Sequence, residues 1–182
     1  MNPQIKKDIE EINLEDKFIL DACCSGRAFW YNKKHPNCIY IDIIEENKGF
    51  CQGEKNFEVK PDIIMDFRDL KFDDKKFKLI VWDPPHLSTL SESSIFRKKF
   101  GCLNAETWSR DLKKGFNEIW RVLDDYGVMT FKWNDDEIKL EKLLKCFKER
   151  PLYGTVIKNK KNKTYWLCFM KIPEEAQHSS QV

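Results

Sequence analysis

Apolar runs of strand length recur along the chain with polar segments of helical length between them, the pattern of crossover units that feed a mostly parallel sheet. Phe18-Ile19-Leu20-Asp21-Ala22 reads as a first buried strand and Cys38-Ile39-Tyr40-Ile41-Asp42 as a second. Asp62-Ile63-Ile64-Met65-Asp66 reads as a third and Phe77-Lys78-Leu79-Ile80-Val81-Trp82 as a fourth. The fourth stops at Pro84-Pro85, because proline cannot donate to a strand ladder. Asp21, Asp42, Asp66 and Asp83 therefore close the four strands, at the carboxyl ends where open parallel sheets place their ligands.

A Ser25-Gly26 turn and a short helix through Phe29 and Trp30 are expected after the first strand. Residues 105–123 carry Trp108, Leu112, Phe116, Ile119, Trp120 and Leu123 at spacings of three and four, which predicts an amphipathic helix with Asn104 as its N-cap. Val128-Met129-Thr130-Phe131-Lys132-Trp133 reads as a fifth strand, and Asn134-Asp135-Asp136-Glu137 as the charged start of a helix reaching about Arg150. Thr155-Val156-Ile157-Lys158 and residues 164–171, joined by the polar turn 159–163, read as an antiparallel hairpin at a sheet edge. The expectation is a single α/β domain over residues 1–173, mostly parallel with an antiparallel C-terminal hairpin, and a flexible tail over 174–182.

Composition narrows the class further. With 41% apolar residues, thirteen Phe and six Trp, the chain can bury a core despite 34% charged residues. No apolar run approaches the roughly 20 residues of a membrane span. The start, Met1-Asn2-Pro3-Gln4, lacks the hydrophobic stretch of a secretory signal, so a cytoplasmic protein without membrane contact is expected. Seven scattered cysteines with no CxxC pair suit a reducing compartment. His35 and Cys38 are spaced like half a zinc site, but no second half follows, and no metal is expected.

A net charge of +2 neither demands nor excludes a polyanionic partner, because clustering matters more than the total. Arg97-Lys98-Lys99, Lys113-Lys114 and residues 158–163 are basic clusters. Such runs are commonly solvated faces, and contact with phosphate is the functional alternative.

Asp83-Pro84-Pro85-His86 is the most specific signal, because it follows an apolar strand rather than sitting in an arbitrary loop. Two prolines fix their own torsions and push the preceding residue toward extended backbone, so the Asp83 carboxylate and the Pro84 carbonyl form a preorganised pair of acceptors. An aromatic amine is a poor nucleophile because its lone pair is delocalised into the ring, and two acceptors on its hydrogens help it pyramidalise. Holding that amine in line with an electrophilic methyl group supplies on the order of 7 to 11 kcal/mol in good cases, with no covalent nucleophile. A lone Asp-Pro-Pro is commonly just a strand-terminating turn, and a lone strand-end aspartate a helix cap; it is their conjunction that points to a site.

The tetrapeptide resembles the (Asp/Asn/Ser)-Pro-Pro-aromatic motif of the N6-adenine and N4-cytosine amino-methyltransferases, within the class I S-adenosylmethionine-dependent superfamily. The resemblance extends over residues 18–171 and implies a Rossmann-like methyltransferase sheet, S-adenosylmethionine as cofactor, and Asp83, Pro84, Pro85 and His86 as the catalytic corner. It likens Leu20-Asp21-Ala22-Cys23-Cys24-Ser25-Gly26-Arg27 to the family's first motif, with Gly26 letting the backbone approach the methionine moiety, Asp21 facing the cofactor's amino group, and Ala22 and Cys23 also cofactor-binding. Asp42, 21 positions after Asp21, would meet the ribose, Asp66 and Phe67 the adenine end, and Ile43 is a further cofactor-binding candidate. Two departures stand out: the first motif carries a single glycine, Gly26, and the fourth catalytic position is histidine, whose ring offers less stacking area.

The leading expectation is methylation of an exocyclic nucleobase amine in DNA or RNA, adenine N6 ahead of cytosine N4 or guanine N2. Alternatives are a small molecule or protein amide as substrate, or a catalytically silent nucleic-acid-binding subunit. Enzymes that extrude a base from a duplex usually carry extra surface to grip the backbone. This chain has little to spare, so a single-stranded or structured target, a homodimer, or a partner subunit supplying specificity is expected. Lys132 and Trp133, at the end of the fifth strand, are weaker candidates for the substrate pocket.

Overall fold

A computed structural model describes residues 3–178 of the chain. Helix α1 (Pro3–Glu11) precedes strands β1 (Ile19–Asp21), β2 (Cys38–Asp42), β3 (Ile63–Ile64) and β4 (Phe77–Trp82). Helices α2 (Ile95–Phe100) and α3 (Trp108–Val122) lead to β5 (Leu123–Asn134). A short α4 (Leu140–Leu144), the hairpin β6 (Tyr153–Lys158) and β7 (Lys163–Met170), and α5 (Glu174–His178) follow. The strands form one seven-stranded sheet in the order β3-β2-β1-β4-β5-β7-β6. Strands β1 to β5 pair in parallel, and β7 runs antiparallel to both β5 and β6.

This order carries a chemical consequence. The sheet starts at β1 and winds outward in both directions, so the chain parts between β1 and β4 and leaves a crevice at their carboxyl ends. Asp21 pairs in register with Val81, and Asp83 follows two residues later, which brings the loop after β1 and the double proline to one rim.

The core forms where α3 packs on the sheet. Leu112, Phe116, Ile119 and Val122 make its buried stripe, and Phe116 stacks on Phe147 with ring centroids 4.3 Å apart. On β5, Met129, Phe131 and Trp133 alternate inward, and Trp82 packs against Phe131 at 5.0 Å. Gly115 lets α3 come close: a Cβ there would sit 2.4 Å from the Phe67 ring.

Several expected elements take another form. No helix runs through Phe29 and Trp30, nor anywhere between β1 and β2 or β2 and β3. Ser25 and Arg27 adopt φ of 43° and 54°, left-handed values that no right-handed helix accepts, and the Arg27 guanidinium donates to the Lys33 and Lys60 carbonyls, pinning the turns. The second connection folds back through a Glu46–Val59 bridge.

The α3 N-cap is Thr107 rather than Asn104, whose Oδ1 instead accepts the Glu106 and Thr107 amides in the turn just before. The helix expected from Asn134 to about Arg150 shrinks to α4, because its presumed capping groups are committed elsewhere. Asn134 ends β5, Asp135 accepts the Lys163 amide at 2.7 Å, and Glu137 accepts the Ser88 amide at 2.6 Å. The hairpin places β6 at the edge and β7 inside the sheet. Helices α1 and α2 lie where the sequence pattern showed none, and α5 is helical where a frayed tail was expected; residues 179–182 of that tail lie outside the described residues.

Candidate active site

A cavity of about 460 Å³ opens at the carboxyl ends of β1, β2 and β4, in the size range of small-molecule sites. Three segments converge on it. The loop after β1 brings Ala22, Cys23 and Gly26, the end of β2 brings Asp42 and Ile43, and the end of β4 brings Asp83, Pro84, Pro85 and His86. Phe67 closes it from the segment after β3. Of the twelve site residues read from the sequence, only Asp21 and Asp66 lie outside the lining.

Asp42 is buried, and each of its oxygens accepts one backbone amide, Ser25 at 2.9 Å and Ile44 at 3.0 Å. A carboxylate offers about four lone-pair directions, so acceptor capacity remains for two hydroxyls. Burial pushes its carboxyl above the usual range, and the amide bonds pull it back. Gly26 carries no side chain for a spatial reason: a Cβ would lie 2.6 Å from the Phe57 ring.

Asp21 turns away beneath the site. It is 2% exposed, accepts the Trp30 indole N–H at 2.7 Å, and its carboxyl is pushed up to about 7, mainly by burial. Asp66 is held by Arg68, whose guanidinium donates at 3.0 and 2.6 Å. The carboxylate at that end of the site is therefore engaged, while Met65 and Phe67 supply an apolar wall.

At the proline corner, Asp83 Oδ2 accepts a charge-assisted hydrogen bond of 2.8 Å from Lys132 Nζ. The two side chains are only 21% and 24% exposed. Burial raises the Asp83 carboxyl above its ordinary value, and Lys132 opposes that rise. Lys132 is itself steadied over the Phe29 ring, 4.9 Å from its centroid. His86 sets its ring edge-on to Trp133 at 6.3 Å, and burial holds its imidazole below the usual range, so it is a neutral ring at neutral pH. Burial likewise raises the Cys23 and Cys24 thiols, which removes both as thiolate nucleophiles.

Sequence reasoning missed the cover of the cavity. Leu87, Leu90, Phe96, Lys99 and Phe100 line it from the 87–101 segment, where the sequence pointed only to the basic run Arg97-Lys98-Lys99. Lys99 is buried, pairs with Glu54 at 2.6 Å and lies 4.1 Å from the Phe57 ring centroid, so this member of the basic run points inward. Ser25 Oγ donates to the Lys99 carbonyl at 2.6 Å, tying α2 to the loop after β1. The apolar Ile95-Phe96 pair beside the cations was the one signal of this role.

The chain matches no protein-family model and none of the curated proteins. Solved structures do resemble it. A S-adenosylmethionine-dependent methyltransferase from Methanosarcina mazei has a TM-score of 0.50 at 13% identity, covering 86% of this chain and 92% of that one. The N-methyltransferase NodS from Bradyrhizobium japonicum WM9 has a TM-score of 0.52 at 12% identity, covering 92% and 96%. The [4+2]-cyclase SpnF reaches 0.53 at 11% identity, covering 92% and 79%.

The fold is thus the Rossmann-like α/β sheet of the class I methyltransferases. A cyclase among these neighbours means that the fold does not by itself name the reaction, which has to be argued from the site. No helix among the described residues is long and apolar enough to cross a membrane, and no group of three or more His, Cys, Asp or Glu there could hold a metal ion.

Proposed function

We propose that the chain is a S-adenosylmethionine-dependent methyltransferase acting on an exocyclic nucleobase amine in DNA or RNA, adenine N6 first. The observation that carries this reading is that the Asp83-Pro84-Pro85-His86 corner opens into the same cavity as Asp42, Gly26 and Phe67. The residues suit the cofactor chemically. Asp42 retains acceptors for a ribose diol, Gly26 permits close approach of backbone, and Phe67 offers a ring beside the buried Met65. When bound, such a cofactor would supply an electrophilic methyl group on a sulfonium, whose carbon–sulfur electron pair would stay with sulfur as the methyl group leaves for the amine nitrogen.

The chain's own part is orientation and proton handling. With Oδ2 engaged by Lys132, Asp83 Oδ1 accepts one amine hydrogen and the Pro84 carbonyl the other, which turns the nitrogen lone pair toward the methyl group. As the nitrogen–carbon bond forms, the surplus proton passes to Asp83. His86, a neutral ring braced by Trp133, gives the base a face to stack on. The leucine and phenylalanine side chains of the 87–101 segment exclude water from the reacting atoms.

Nucleic acid is the proposed partner, with a second copy or a separate subunit adding specificity. The apolar cover also suits a small planar amine, so the decisive assay offers labelled cofactor to separate pools of DNA, RNA, protein and small heterocyclic amines. N6-methyladenine in a nucleic-acid pool supports the proposal; label only in a heterocycle or a protein side chain overturns its substrate. Asp83→Ala should abolish transfer while leaving cofactor affinity within a few-fold, and full activity in that variant would remove Asp83 from the mechanism.

A further inference from the structure

A second, more open cleft of about 850 Å³ adjoins the cavity, with Ser25, Gly26 and Phe57 lining both. It lies along the two connections that carry no helix. Its lining includes the cations Lys17, Arg27, Lys33, Lys34, Lys48 and Lys60 against only two carboxylates, Glu58 and Asp62.

Not all of these cations are available. Arg27 is structural: it bonds Asp62 at 2.8 Å and lies 3.8 Å from the Tyr40 ring centroid. Lys33 donates to the Gly26 carbonyl at 3.0 Å, Lys17 donates to the Pro36 carbonyl, and Lys48 faces Glu58 at 3.9 Å. Lys34 and Lys60 are exposed, and neither ammonium has a hydrogen bond or ion pair among the described residues.

We infer that this cleft holds the sugar–phosphate backbone of a single-stranded nucleic acid whose target base is taken up by the adjoining cavity. The inference rests on the substrate class proposed above and adds the place where that substrate is gripped. The two available cations, Lys34 and Lys60, stand on different connections of the chain, which suits successive phosphates of a strand better than a single phosphate group. Lysines are compact charges on flexible stems, fit for holding a backbone without reading sequence. The Lys33 bond to Gly26 joins the wall of the cleft to the loop that lines the cavity.

Fluorescence anisotropy with a labelled adenine-containing single-stranded oligonucleotide, over a range of salt concentrations, tests this. Lys34→Glu/Lys60→Glu is compared with Lys113→Glu/Lys114→Glu on α3, which changes the net charge equally away from the cleft. If each lysine meets one phosphate, losing two contacts lowers the log–log salt slope by about 1.4 and weakens binding roughly 25-fold near 0.1 M salt. The α3 pair should lose far less. Equal losses in both pairs, no loss in the cleft pair, or binding of phosphatidylserine vesicles in place of the oligonucleotide would each overturn the inference.

Calorimetry with S-adenosylmethionine, run alongside, separates the two ideas. A cleft-dependent strand with no cofactor binding sinks the methyltransferase reading alone. Methyl transfer to the oligonucleotide that is indifferent to Lys34 and Lys60 sinks the cleft alone.

Discussion

Asp21 offers the sharpest quantitative test, because its carboxylate ends β1 between two others. It is nearly fully buried, with the like charges of Asp83 and Asp42 nearby, and its carboxyl sits at about 7 against an ordinary 3.8. The folded value lies above the unfolded one, so Asp21's contribution is most favourable below about pH 3.8 and is lost as pH rises through about 7. Between those values stability falls by about 1.4 kcal/mol per pH unit, which is roughly 2.5 kcal/mol from about pH 5 to about pH 8.

Asp21→Asn removes the titration and keeps an acceptor for the Trp30 indole; it gives up only the long 3.4 Å contact from the Cys23 amide. Urea denaturation of both proteins at the two pH values gives a double difference from which all other titrations cancel. Asp21→Asn should gain on the parent by roughly 2.5 kcal/mol over that window. A stability difference constant with pH to within about 0.5 kcal/mol would refute the burial argument.

Two further outcomes follow from the same geometry. Lys132→Met leaves Asp83 without its bonded cation, so its carboxyl rises further, and the acid limb of the methyl-transfer pH profile should move to higher pH with cofactor affinity nearly unchanged; Lys132→Arg should restore much of the profile, and an unmoved limb in Lys132→Met would show that Lys132 does not set the charge on Asp83. Gly115→Ala drives a methyl group into Phe67 at 2.4 Å and should destabilise by about 1 to 3 kcal/mol despite alanine's better helix propensity, while weakening S-adenosylmethionine binding; thermal denaturation and calorimetry read the two effects separately.

Much of the sheet was legible because strand signals are local. Cys38–Asp42 and Phe77–Trp82 match their apolar runs residue for residue, and each is bounded by a residue type that ends a buried strand. Helices were less legible where side chains had competing partners. Asn134, Asp135 and Glu137 look like an N-terminal cap in one dimension, but in space the Lys163 amide and the Ser88–Thr89 turn claim two of them. Asn104 shows the same competition on a smaller scale, closing a turn just before the helix it was expected to cap.

The sequence by itself determined the alternating architecture, the carboxylates at the strand ends and the proline-locked corner, because hydrophobic period and proline geometry act over a few residues. Only the tertiary structure decided which of those carboxylates face the cavity. Asp42 and Asp83 do; Asp21 is turned onto Trp30 and Asp66 is taken by Arg68. It also decided that Lys132, 49 residues from Asp83, stands 2.8 Å from it, and that Lys99 folds inward to a glutamate 45 residues away. A side chain's direction and charge partner depend on contacts between distant segments, and such contacts exist only once the sheet has brought those segments together.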